Sequence, residues 1–370
     1  MSRKWMSVVV VLMVVAMVLG ACAPKATPTS VPTTVPPTKA PPTAVPPTAV
    51  PTPAGKYAGL RVALILPGSV DDRSWNTGAY NDLMQLKADT GVEVSYIEKV
   101  TVANLEAALR DYGSQGYDLI IAHSSNFMDA IAKVAPDFPK SIFVWPAAWG
   151  KIPANAVGYN TPLQDSAYLC GMLGGLMTKT NKLGYIMGAE SDKAYNALGA
   201  YIAGAKLVNS KVEVISTFPG VWDDVEKGKE SARAQIAAGV DVMMGRGDGL
   251  AQGVMEAVKE AGIYAFGDMV DQNGDAPKQV LSSTIMHLTA IWRKMLDDMV
   301  AGTVKGGGVY TMTMKDGAAD IAPFHGLVPD AIAEKVMAVK AQIMDGSFVV
   351  PVFNKMPTAA ELEAAAKPKL

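Results

Sequence analysis

The chain has 370 residues, 49% hydrophobic and 18% charged, enough to bury one large or two medium cores. Thirty-three Lys and Arg against 35 Asp and Glu give a formal net charge of −2, so there is no electrostatic footprint for a nucleic-acid partner. With only two Cys, a disulfide framework is excluded.

The basic start MSRKW and the apolar run SVVVVLMVVAMVLG have the length of a signal peptide and fall short of a spanning helix. The run ends in Leu19-Gly20-Ala21-Cys22, which resembles the lipobox of bacterial lipoproteins. Residues 1–22 are therefore expected to be a signal peptide ending at a lipidated Cys22. That lipid would hold the chain at the extracytoplasmic face of the cell membrane; an ordinary signal peptide or an uncleaved anchor is the alternative. Residues 23–55 carry nearly half of the 24 prolines, with many Thr and no apolar periodicity. Such a segment forms no core and favours extended polyproline II, the conformation of a spacer.

A folded domain is expected over 56–355, followed by a tail over 356–370. Apolar runs alternate there with amphipathic segments. The predicted strands are RVALILP, YDLIIAHSS, SIFVWPAA, AVGYN, KLGYIMG, VEVISTF, VDVMMGR, IYAFGD and QVLSST. Helices are predicted over 75–87, 104–115, 126–135, 163–178, 194–208, 225–238 and 250–261. Several strands are continuously apolar, as in parallel sheets covered on both faces, so the pattern is α/β. The strand count is large for one sheet, and a break near 158–168 divides it into two lobes. Ligands in such folds lie outside the carboxyl ends of the strands. The residues just after the strands are Asp71, Asp72, Trp75 and Asn76; Ser124, Ser125 and Phe127; Trp145; Tyr159 and Asn160; Glu190; Trp222 and Asp223; Arg246 and Asp248; and Asp268. Aromatic and acidic side chains gather on this set, which suits a planar, hydrogen-bonding ligand. The same residues also have plain structural readings. Asp72 or Ser74 suits a helix cap, Trp75 a core position and Trp222 a cover over a loop.

Motifs for chemistry are missing from the sequence. His123, His287 and His325 are isolated, and neither HExxH nor a Cys/His ligand spacing occurs, so no metal and no cofactor are expected. There is no phosphate loop and no GxSxG elbow. GMLGGL reads as close helix packing, Cys170 as a small buried hydrophobe, and Arg246-Gly247-Asp248 as a strand-end loop. A surface hydrolase using Asp71, Asp72 and Asp248 is the enzymatic alternative, with no positioned nucleophile to support it.

Four stretches, in order, resemble the basic membrane protein family, the lipid-anchored substrate-binding proteins of ABC transporters related to the purine nucleoside receptor. They are VDDRSWNTGAYNDL, QDSAYLCGMLGGLM, KLGYIMG and APFHGLVPDAIAEKV. The resemblance implies a two-lobed type I periplasmic-binding-protein fold, each lobe a parallel sheet flanked by helices. It also implies no enzymatic step, a permease and separate ATPase subunits as partners, and a purine-like ligand. In the family the aromatic residue at Trp75 stacks on the purine, and Asp72 and Asn76 contact the base. With the strand-end residues Ser124, Phe127, Trp222, Asp248 and Asp268, these make the expected ligand-binding set. Two departures stand out: Met269 and Met286 occupy positions where the nucleoside receptors carry the Asp and Lys that hold the ribose. A free nucleobase is therefore favoured over a nucleoside. A sensory binding protein on the same fold is the second reading.

Overall fold

The computed structural model describes residues 55–146 and 152–370, so the expected signal peptide, Cys22 and residues 23–54 of the linker lie outside the described residues. The described chain builds two six-stranded sheets.

The first sheet begins with β1 (Arg61–Ile65), β2 (Glu93–Ile97), β3 (Leu119–Ala122), β4 (Ile142–Trp145) and β5 (Ala156–Asn160). The second holds β6 (Lys182–Met187), β7 (Glu213–Thr217), β8 (Val242–Arg246), β9 (Tyr264–Gly267) and β10 (Val280–Met286). Beyond these, β11 (Val309–Thr311) returns to the first sheet and β12 (Ala319–Ile321) to the second. The orders are β11-β5-β4-β3-β1-β2 and β12-β10-β9-β8-β6-β7. Every pairing is parallel except β10 with β12, so both lobes are the expected parallel sheets, with one antiparallel edge strand on the second. The expected break at 158–168 falls where β5 ends. The lobes are nevertheless not contiguous in sequence, because the short strands β11 and β12 cross back.

The helices are α1 (Trp75–Thr90), α2 (Val102–Ser114), α3 (Met128–Val134), α4 (Gln164–Met177), α5 (Asp192–Val208), α6 (Val225–Ala237), α7 (Gly249–Ala261), α8 (Leu288–Ala301), α9 (Asp330–Asp345) and α10 (Ala359–Ala364). Central strands such as LIIA and VMMGR are buried at every residue, as strands covered on both faces must be. The edge strand β2, EVSYI, is half-exposed and lacks a continuous apolar run, which is why the sequence reading passes over it. One large apolar cluster joins Leu64 and Leu83 of the first lobe to Leu169, Tyr201 and Leu281 of the second. Smaller clusters back the far face of each sheet.

α4 and α5 pack at backbone contact. A Cβ on Gly171 would stand 2.0 Å from the Tyr201 carbonyl oxygen, and one on Gly204 would stand 2.0 Å from that of Tyr168. The glycines of GMLGGL thus serve helix packing. Cys170 sits among them, buried, with its thiol pushed upward by that burial. The tail is held down as well: Gln342 on α9 donates to the Lys369 carbonyl at 2.7 Å and accepts from the Lys369 N–H at 2.9 Å.

Candidate functional site

The joint between β1 and α1 is built around one carboxylate. Asp72 accepts from the N–H groups of Ser74 (2.9 Å), Asn76 (2.9 Å) and Thr77 (3.0 Å), and from the Asn76 side chain (2.6 Å) and the Thr77 hydroxyl (3.0 Å). It therefore caps α1, a role that the N-terminal donors of any helix call for. Asn76 is buried and closes the loop further, its side-chain oxygen accepting from Gly68 N–H at 3.2 Å. The polar groups of Asp72 and Asn76 are thus committed to holding the loop.

What the loop presents is Trp75, the first residue of α1, half-buried. Its indole N–H donates to the His123 carbonyl at 3.0 Å, and its ring lies on the His123 imidazole with centroids 4.0 Å apart and planes 16° from parallel. His123 follows β3 and is fully buried. One imidazole nitrogen meets the Trp75 carbonyl at 3.3 Å and the other the Tyr159 hydroxyl at 2.5 Å. Burial lowers the imidazole pKa to about 3, against smaller opposing effects of the Trp75 carbonyl and Asp72, so the ring is neutral.

The second lobe brings acids to the opposite side. Asp268 follows β9 and is 1% exposed; its Oδ1 accepts from Arg246 Nε at 3.0 Å and from the Thr284 hydroxyl at 2.7 Å. Burial works against the Arg246 charge, but Asp268 and Tyr185 outweigh it and hold the guanidinium protonated. Asp248 precedes α7, and its carboxyl makes no hydrogen bond among the described residues. Its pKa is raised to about 7, chiefly by burial and then by the charges of Asp72, Asp223 and Asp268. Asp72 belongs to the first lobe, so this repulsion acts across the cleft. Trp222 is 45% exposed and lies over Gly188, the residue after β6.

The lobes also touch directly. Gln252 donates to the Asp72 carbonyl at 3.1 Å, Gln272 to the Arg73 carbonyl at 2.8 Å, and Arg73 pairs with Asp275 at 2.6 Å. Beside these contacts lies a cavity of about 380 Å³ lined by Gly78, Asp82, Met269, Met286 and His287. Both methionines singled out in the sequence border this cavity, which Trp75, Asp248 and Asp268 do not line, and the Thr161 hydroxyl reaches the Met286 sulfur at 3.1 Å.

Not every expected residue joins the cleft. Phe127 is 1% exposed and packs with Leu105, Ile131 and Trp145 in the far-side core of the first lobe, so its ring is a core ring and not a stacking surface. Trp145 is buried in the same cluster. The Ser124 hydroxyl accepts from Asn126 N–H at 3.3 Å and is half-buried. His123 is the site residue that motif searching misses. The strand-end rule that marks Ser124 reaches it one position earlier, but a search for metal ligands and catalytic bases sets it aside.

Two mainly parallel six-stranded sheets flanked by helices, with Trp75 at the β1–α1 joint of one lobe and Asp248 and Asp268 after strands of the other, make the two-lobed type I periplasmic-binding fold. Residues 60–352 match the family described as ABC transporter substrate-binding protein PnrA-like, and the chain belongs to that family. It is 29% identical over 316 residues to the ABC transporter nucleoside-binding protein BmpA of Lactococcus lactis, covering 79% of this chain and 89% of that protein. It is 26% identical over 291 residues to the purine-binding protein BAB2_0673 of Brucella abortus, covering 78% and 81%. An ABC transporter solute-binding protein from Conexibacter woesei superposes with a TM-score of 0.67 at 22% identity, over 80% of this chain and 99% of that one. This is a family of substrate-binding proteins, which capture a small molecule for a permease and its ATPase.

Proposed function

We propose that this protein captures a purine-like ligand between its lobes, a nucleobase in preference to a nucleoside, and delivers it to an ABC permease while tethered to the membrane through a lipid on Cys22. The observation that carries the reading is the Trp75 platform. One face of the indole rests on His123, and the opposite face is stacked on no other aromatic ring among the described residues. A flat π-ligand is the natural occupant of that face, at about 1–3 kcal/mol per stacked base. Asp248 and the Asp268 Oδ2, which accepts no hydrogen bond among the described residues, are acceptors for N–H donors of the ligand, with Trp222 and Ser124 at the margin. Asp72 and Asn76 contribute by shaping the loop.

The preference for a base is supported by Met269 and Met286. A ribose directed toward two thioethers lacks the charge-assisted hydrogen bonds worth about 1.5–3 kcal/mol each. Lipid attachment is supported by the LGAC sequence and the Pro/Thr-rich spacer that follows it. Titration calorimetry of the full-length protein with adenine, guanine, adenosine and guanosine tests the assignment. A base should bind more tightly than its nucleoside; a nucleoside binding tenfold tighter than its base would refute the preference.

A further inference from the structure

We propose that His123 is a positioning residue that fixes the Trp75 indole from behind and makes it a one-faced stacking platform. The proposal rests on the reading of Trp75 as the ligand-stacking residue and adds the device that holds it. Three contacts join the two residues. The rings stack at 4.0 Å, the indole N–H reaches the His123 carbonyl at 3.0 Å, and an imidazole nitrogen lies 3.3 Å from the Trp75 carbonyl. A carbonyl can only accept, so that nitrogen, Nε2, carries the proton. Nδ1 is then the lone-pair nitrogen and must accept from the Tyr159 hydroxyl, 2.5 Å away. One tautomer satisfies both ends: the Trp75 carbonyl selects it, and the Tyr159 hydroxyl, on β5, serves it as donor. Hydrogen bonds at both nitrogens remove the imidazole's freedom to flip, and the locked ring removes the indole's freedom to swing.

The arrangement also sets the chemistry of the platform. A neutral imidazole beneath the indole leaves the ring's outer face electron-rich, which favours an electron-poor or N–H-bearing heterocycle over an anion. The lock joins two strands and a helix: His123 follows β3 directly, β5 supplies Tyr159, and α1 begins at Trp75. A ligand then meets a ring that needs no further ordering, which lowers the cost of immobilisation on binding.

The test is a set of full-length variants read in two ways. The first readout needs no ligand: the ¹⁵N-indole resonance of Trp75, assigned with Trp75→Phe, and its solvent exchange. The second is adenine affinity by calorimetry. His123→Leu removes the flat ring and the donor. It is expected to shift and broaden the Trp75 indole signal, speed its exchange at least tenfold, and weaken adenine binding about tenfold at an unchanged fold. His123→Phe restores a flat ring and is expected to recover most of the affinity. Tyr159→Phe, a milder change, is expected to perturb the Trp75 signal in the same direction by less. If His123→Leu folds and leaves the Trp75 signal and exchange as in the wild type, the proposal is overturned. Equal losses in the Leu and Phe variants would overturn the stacking part as well. If the wild type binds no purine, the functional reading fails, yet the ligand-free indole readout still decides the role of His123.

Discussion

With Asp248 as the proposed N–H acceptor, ligand affinity is expected to rise with pH. Burial and the neighbouring charges of Asp72, Asp223 and Asp268 raise its pKa to about 7 from an ordinary 3.8, so in the empty cleft it is protonated below neutrality. A ligand that donates N–H to the carboxylate requires the ionised form and returns the pKa toward its ordinary value. Binding below pH 7 then releases a proton. With a free-state pKa of about 7 and a bound-state pKa of about 4, the affinity should rise about 30-fold from pH 5.5 to pH 8 and level off above. Calorimetry at pH 5.5 in buffers of different ionisation enthalpy should detect close to one proton released, and at pH 8 close to none. Asp248→Asn should flatten the profile, and Asp72→Asn, which removes one repelling charge, should move its midpoint to lower pH. The unliganded protein carries a linked signature. The native state holds a proton that the unfolded chain has lost between about pH 4 and 7, so this group's contribution to stability falls as pH rises through that window. Affinity that drops with rising pH would refute the acceptor role and make Asp248 a neutral O–H donor to a ring nitrogen.

Trp75→Ala should weaken ligand binding five- to hundredfold, in line with about 1–3 kcal/mol of stacking, with chemical denaturation near that of the wild type. A loss of about 3–5 kcal/mol of stability at unchanged affinity would instead mark a core residue. Asp72→Ala should destabilise the fold by about 1–2 kcal/mol through loss of the α1 cap, measurable as a lower denaturation midpoint, and should weaken binding as the Trp75 loop loosens. Cys22→Ser should leave an unprocessed or soluble product; a processed Ser variant that still fractionates with membranes would refute the lipid anchor.

Much of the architecture is written in the apolar runs. LIIA and VMMGR can sit only between covering layers, and the alternation with helices then forces two parallel sheets. Edges are less legible. β2, β11 and β12 are short or half-exposed and carry little apolar signal, and β11 finds its place by pairing with β5, far away in sequence. α8 and α9 are amphipathic enough to predict in principle, but they lie beyond the last long strand, where the βα rhythm lapses. At the site, the sequence marks Trp75, Asp248 and Asp268 by position after a strand. It does not reveal that Asp72 and Asn76 spend their polar groups on the loop, nor that Phe127 turns inward. Those facts depend on loop geometry that a strand-end rule does not resolve. The His123 contact is set by register: β1, β3 and β5 place Trp75, His123 and Tyr159 at one level of the sheet, and no local pattern in the sequence records that.

The return of β11 to the first sheet, and of β12 to the second, has a consequence for biogenesis. The first lobe runs unbroken only to β5 at Asn160, yet its sheet edge at Val309–Thr311 and the helix packed on α1, Leu288–Ala301, are synthesised after most of the second lobe. The far-face clusters can form within each half, but the large shared cluster and both sheet edges must wait for nearly the whole polypeptide and for contacts between distant segments, a high-contact-order process. Expressing residues 55–160 or 161–286 alone should give aggregating fragments. Co-expressing the pieces with the segment from 287 onward is the arrangement that can restore each sheet, because only that segment supplies the missing edge of both.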